Sequence, residues 1–123
     1  VKFTAIYVEA NTNTATATVM FADPDTKPDE PYVLLFSRSI EFQDSSYYFE
    51  INDQSYSSYG GLTLVQISRN SIYIQLEPYT VEAFGDENLS EVQVKFNIDD
   101  KTYQSVLDTL RDIFANENIL VLE

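Results

Sequence analysis

Chemistry in this sequence falls to carboxylates and tyrosines. The 123 residues contain no histidine and no cysteine. That removes the imidazole base, the Ser-His-Asp relay, the thiolate nucleophile and zinc held by sulfur or imidazole. Glu41, Glu50 and Asp53 are the carboxylates closest to the aromatic-rich middle of the chain. Paired carboxylates ~5 or ~9 Å apart can hydrolyse glycosides without histidine. The spacing of these three fixes neither separation, and Glu50 falls at an outward parity beside Tyr48, as an exposed sheet residue does. A second acidic group, Asp23, Asp25, Asp29 and Glu30, opens like a calcium loop, with acids at the first and third positions. Lys27 at the fifth position, Pro28 where glycine is required and Leu34 at the twelfth break that pattern. A solvated acidic loop is expected there. Gly60-Gly61 lacks the spacing of a phosphate cradle and precedes a strand pattern, not a helix. The chain thus reads as one without catalytic residues, a metal or a cofactor.

The most unusual stretch is residues 47–61, which places Tyr47, Tyr48, Tyr56 and Tyr59 around Asn52, Asp53 and Gln54. Tyrosine offers a large, stiff contact area with a polar tip, the material of many recognition surfaces. Residues 52–61 read as a long polar loop ending in Gly60-Gly61 on a rigid strand, and such loops carry function. Residues 52–59 are therefore expected to touch a partner. A structural reading competes: Tyr56 and Tyr59 fold back as lids on the core, while Asn52 and Asp53 bond the loop backbone.

The elements that must position these residues are legible from periodicity. Residues 2–9 read as one strand, with Phe3, Ala5 and Tyr7 on one face. Residues 14–21 alternate Ala15, Ala17, Val19 and Phe21 against Thr14, Thr16 and Thr18, and pair with the first strand across Asn11-Thr12-Asn13. Three prolines make 23–31 a loop. Residues 32–37 and 47–51 read as strands. Residues 62–68 and 71–76 form a hairpin around Arg69-Asn70, where Asn tolerates a positive φ. Residues 78–84 form a helical turn ended by a left-handed Gly85. Residues 91–98 alternate as a strand. Then Tyr103, Val106, Leu107, Leu110, Ile113 and Phe114 recur at three and four, which places an amphipathic helix at 101–115 capped by Asp99 or Asp100. The tail 119–122 is apolar, and three readings stay open for it: an edge strand, packing on the helix or an exposed end. About seven strands and one terminal helix predict an α+β fold. It is a single mostly antiparallel β-sheet domain spanning 1–123, with a C-terminal amphipathic α-helix packed on the sheet.

Charge and composition limit the partners. Apolar residues make up 44% and aromatics 14%, which exclude a disordered chain despite a net charge of −13. Seven Lys+Arg face twenty Asp+Glu, a balance that excludes nucleic acid and anionic membrane as partners. The longest apolar run, Tyr32-Val33-Leu34-Leu35-Phe36, falls far short of the ~20 residues that span a bilayer. No signal-peptide pattern opens the sequence, so the cytoplasm is the expected compartment.

Leu34 to Phe42, reading Leu-Leu-Phe-Ser-Arg-Ser-Ile-Glu-Phe, and Tyr48 to Gly61, followed by Ile67-Ser68-Arg69-Asn70, resemble the immunity protein 10 family of bacterial polymorphic toxin systems. Lys2-Phe3, Phe21-Ala22-Asp23 and Ile98-Asp99-Asp100 leading into the helix extend the resemblance to about residue 114. The segment between Phe42 and Tyr47 is shorter than the family pattern, and 115–123 form an added C-terminal extension. The resemblance implies a cytoplasmic antidote that binds and neutralises a cognate toxin domain, with no enzymatic activity. It carries over Arg38, Glu41, Glu50, Asp53, Gln54, Tyr56, Tyr59, Gly60 and Gly61 as motif positions. Glu41, Glu50, Asp53, Gln54, Tyr56 and Tyr59 are the candidate toxin contacts. The chain's acidity suits a basic toxin, such as a nuclease, and would speed its capture. The alternatives are a generic protein-interaction domain without a toxin and, more remotely, a carboxylate-based glycosidase.

Overall fold

Alternation with a period of two builds most of the molecule. The computed structural model describes residues 1–42 and 45–123. Strand β1 is Lys2–Thr4, β2 Tyr7–Thr12, β3 Thr16–Asp23, β4 Tyr32–Ser39, β5 Tyr48–Ile51 and β6 Asp53–Tyr59. The remaining strands are β7 Leu62–Ser68, β8 Ser71–Leu76, β9 Glu91–Lys95 and β10 Leu120–Leu122. Helix α1 is Pro78–Phe84 and α2 is Asp100–Ile113, with a short 3₁₀ turn, Glu87–Ser90, before β9. The expected α+β class holds. The strands divide into two five-stranded sheets, ordered β1-β9-β8-β7-β10 and β2-β3-β4-β5-β6. All pairs are antiparallel except the two edges of the first sheet, where β1 runs parallel to β9 and β10 parallel to β7. The apolar tail thus resolves as an edge strand.

The residues expected to form one strand at 2–9 divide between the sheets. Phe3 and Ala5 are buried, whereas Ile6 and Tyr7 are both exposed, at 52% and 54%. Two successive exposed side chains reset the parity, so that Val8 and Ala10 point into the core and Tyr7 and Glu9 point out. The chain crosses from the first sheet to the second at this step. The Asn70 expectation also changes. Among the described residues the non-glycine positive φ values fall at Asn52, Asn116 and Asn118, so the β7–β8 turn closes without one at Asn70.

One core joins both sheets. Phe21, Leu34, Phe36, Phe49 and Ile51 come from the second sheet, and Val65, Ile67, Ile72, Ile74, Val92 and Val94 from the first. Helix α2 packs against β2, β3 and β4. It buries Val106, Leu110 and Ile113, and Phe114 at its C-cap meets Phe36 edge-on, with ring centres 5.4 Å apart. Two arginines hold its ends. Arg69 in the β7–β8 turn donates to the Ile98 carbonyl and to Asp100, both at 2.8 Å, and lies over the Tyr103 ring. Arg38 on β4 donates to the carbonyls of Ile113 at 3.0 Å and Ala115 at 3.1 Å, and pairs with Glu117. A cation at a helix C-terminus is favoured by the unpaired carbonyls there. Arg38 and Arg69 therefore serve the fold.

Two carboxylates work as turn and cap acceptors. Asp23 Oδ1 accepts the N–H groups of Asp25 and Thr26, both at 3.2 Å, and its other oxygen accepts the Thr26 hydroxyl. The oxygens that open the acidic loop are thus engaged by the loop itself. The Thr26 hydroxyl, against the opposing effect of burial and with help from the two N–H groups, holds the Asp23 carboxyl below its ordinary value of 3.8. Asp99 caps α2 by accepting from Thr102 N–H at 2.7 Å. Hydrogen bonds from Thr102, side chain first and then backbone, lower its carboxyl from 3.8 as well. A depressed carboxyl contributes stability that is present above the unfolded value of 3.8 and is lost as pH falls through the folded one. Acid titration of folding, followed by circular dichroism, is expected to show a loss of stability below that point. Asp23→Asn and Asp99→Asn together are expected to flatten this acid limb. An unchanged limb in the double variant would refute the assignment.

Candidate functional site

The β5–β6 hairpin carries most of the residues singled out in the sequence, but residues 52–61 are not a long loop. Asn52, at φ 66°, makes the turn, and β6 pairs back along β5 from Asp53 to Tyr59. Its Ser-rich, Gln-containing sequence reads as loop because β6 is an edge strand with polar side chains on both faces. A bulge at Glu50–Ile51 shifts the register near the turn, and beyond it β6 alternates, so Tyr56 and Tyr59, three residues apart, fall on opposite faces. Tyr56 turns inward, edge-on to Phe84 of α1 with ring centres 5.8 Å apart. Tyr59 turns outward, 74% exposed, and leans on Tyr48 at 5.2 Å. Asp53 and Gln54 stand exposed at the tip, where Asp53 Oδ1 accepts the Ser55 N–H at 2.7 Å. The Asn52 side chain accepts the Val33 N–H at 3.1 Å and ties the turn to β4.

Glu50 faces out from the second sheet, where the Tyr48 hydroxyl donates to its Oε1 at 2.8 Å. The neighbouring Ser57 hydroxyl pulls the Tyr48 phenol down, but partial burial and the Glu50 carboxylate outweigh it and leave the phenol above 10.0. At neutral pH Tyr48 is therefore a fixed donor, and Glu50 is held in one orientation. Glu41 is exposed beyond the end of β4. Asp53 lies at the opposite end of that strand, about 20 Å away for an eight-residue strand. Glu41 and Asp53 are thus too far apart to act as a catalytic pair, which requires roughly 5–9 Å.

Gly60 and Gly61 carry the chain from the second sheet to the first. Both have positive φ, 75° and 99°. The Gly61 carbonyl accepts from Glu77 N–H at 2.8 Å and from the Thr80 hydroxyl at 3.1 Å. The Tyr47 hydroxyl accepts Leu62 N–H at 2.9 Å. The motif's glycines and Tyr47 therefore form a structural joint, with α1 packed into it.

The outer face of the second sheet is left uncovered by either helix. Its middle row reads, strand by strand, Glu9, Met20, Leu35, Glu50 and Ser57. The row on one side is Tyr7, Ala22 and Val33, and on the other Asn11, Thr18, Ser37, Tyr48 and Tyr59. Met20, Val33 and Leu35 are half-buried and stand outside the core cluster. At its far end the face dips into a hollow of about 420 Å³ lined by hydroxyls, among them Thr16, Ser37, Ser39, Tyr48 and Tyr59. Sequence reasoning missed Met20 and Leu35. Met20 shares parity with the outward Thr16 and Thr18, a signal that was available. Leu35 lay inside a continuous apolar run that reads as buried on both faces.

The fold and this face define an acidic, two-sheet α+β domain with one aromatic-rimmed open surface, and no described helix is long and apolar enough to cross a membrane. The chain belongs to the immunity protein 10 family, whose model matches residues 2–104. Membership gives it an immunity role in general and implies a toxin as partner. No curated protein and no solved structure gives a match.

Proposed function

We propose that this chain is a cytoplasmic immunity protein that binds a cognate toxin domain and neutralises it by occupation, without catalysis, so protecting the bacterium that makes it. The match to the immunity family along residues 2–104 carries this reading. The net charge of −13 supports a basic partner, a nuclease among them, because opposite fields steer association. The proposed contact is built on the β5–β6 hairpin. Asp53, Gln54 and Tyr59 face the toxin together with Glu50, Tyr56 supports the hairpin from beneath, and Glu41 marks the far end of the same sheet.

Growth rescue on co-expression with the cognate toxin domain, and binding of the purified pair, test the role. Failure of both would refute it. Tyr59→Ala is expected to weaken binding by about 2 kcal/mol, roughly 30-fold, with little change in melting temperature. Tyr56→Ala is expected to lower the melting temperature, because it loses its packing on Phe84, yet to bind normally once folded. The reverse pattern would place Tyr56 in the contact and Tyr59 outside it.

A further inference from the structure

Resting on that reading, we infer that the toxin docks across the outer face of the second sheet, by setting an apolar ridge flanked by basic side chains on the row Glu9–Met20–Leu35–Glu50. The row itself specifies the partner's chemistry. Met20 and Leu35 are adjacent across β3 and β4, and a carboxylate stands on each side, on β2 and β5. Three strand spacings put the backbones of Glu9 and Glu50 about 14 Å apart. That is the width of one strand or helix edge carrying a cation on either flank. Tyr48 already fixes the Glu50 carboxylate, so less side-chain entropy is lost when a cation arrives. Tyr7 and Tyr59, both exposed, rim the patch at opposite corners.

Charge decides the occupant. None of the residues in these rows is a lysine or arginine. A second copy of this chain would set carboxylate against carboxylate on an already acidic body, which costs energy. A basic protein surface meets no lysine or arginine in these rows, and Arg38, in the wall of the hollow, is engaged by Glu117 and the Ile113 carbonyl. The outer face of the first sheet differs in the same respects. Its paired rows run through Gln93, Tyr73 and Gln66 to Val121, and through Glu91 and Gln75 to Leu64, with Lys2 and Lys95 at its β1–β9 edge. It sets lysines beside its carboxylate and separates its aliphatic residues Val121 and Leu64 from any such acidic pair, and it supplies the control.

The test uses the full chain and its cognate toxin domain. Met20→Lys and Leu35→Lys are each expected to weaken binding at least about 30-fold. Gln93→Lys, on the other sheet and with the same change in net charge, is expected to stay within about threefold. Carbodiimide labelling of the unaltered chain provides a second readout that does not depend on variant folding. Glu9 and Glu50 are expected to be protected in the complex and labelled in the free protein. Raising salt is expected to slow association much more than it speeds dissociation. Wild-type binding with unprotected Glu9 and Glu50 would overturn this docking surface and leave the immunity role standing. A salt-independent association rate would overturn the basic partner alone. No binding by the wild-type chain would remove both readings.

Discussion

Leu110→Ala is expected to lower folding stability by about 2–5 kcal/mol in equilibrium urea unfolding, the cost of a cavity at a fully buried leucine. Leu110 is 0% exposed, in the middle of the α2 stripe formed by Val106, Leu110 and Ile113. This stripe meets β2, β3 and β4 on the inner side of the second sheet. Both ends of the helix are held by arginines, so α2 has little freedom to slide and refill the space. The upper half of the range is therefore expected. Asp112→Ala, at an exposed position on the same helix, is expected to remain within about 0.5 kcal/mol. Equal, small losses at both positions would mean that α2 does not form part of the core.

Gly61→Ala is the second large effect, at about 2–4 kcal/mol. Two separate causes add. The backbone at φ 99° lies in a region that side chains rarely adopt, and a Cβ there would come within 2.5 Å of Thr80 Oγ1. The joint has no slack, because the Gly61 carbonyl holds both Glu77 and Thr80. Thr80→Ala in the Gly61→Ala background is expected to relieve the steric part and leave the backbone part, so the double-variant cycle is non-additive. Gly60→Asn is the contrasting substitution. Its φ of 75° is one that asparagine tolerates, and among the described residues only Ser46 Oγ, at 3.5 Å, lies nearby. A loss under about 1 kcal/mol is expected there. If Gly61→Ala proved as mild as Gly60→Asn, the joint would not be a constraint on the fold.

Where local pattern and local structure coincide, the sequence was readable. The α2 stripe, its Asp99 cap, the β7–β8 hairpin and the left-handed Gly85 all follow from neighbours within four residues. Three features depended on distant partners and were not. The crossover at Ile6 and Tyr7 is a parity slip that only a second sheet explains. The polar strand β6 is held by its ladder to β5, not by its own β-propensity. The division into two sheets, with parallel edges, is not encoded in any window of the chain. The candidate site shows the same limit. Glu50 beside Tyr48 was readable from parity, whereas the opposite fates of Tyr56 and Tyr59, three residues apart, follow from parity only once β6 is known to be a strand. Arg38, carried over only as a motif position, and Arg69 donate to backbone carbonyls distant in sequence, and nothing local marks those bonds.

The strand orders of the two sheets have a consequence for assembly. In the second sheet every neighbour in space is also the neighbour in sequence, β2 through β6. Such a meander can zip up hairpin by hairpin as the chain lengthens on the ribosome. The first sheet has no such route to its edge, since Lys2 must find Gln93. Closing a loop of that length costs about 2 kcal/mol more than closing a ten-residue hairpin. Nascent chains therefore pass through an interval in which Phe21, Phe36 and Phe49 are displayed without their cover of α2 and the first sheet. The outer face of the meander is already complete in that interval. A host making this protein must shield the inner face until the last third of the chain has emerged.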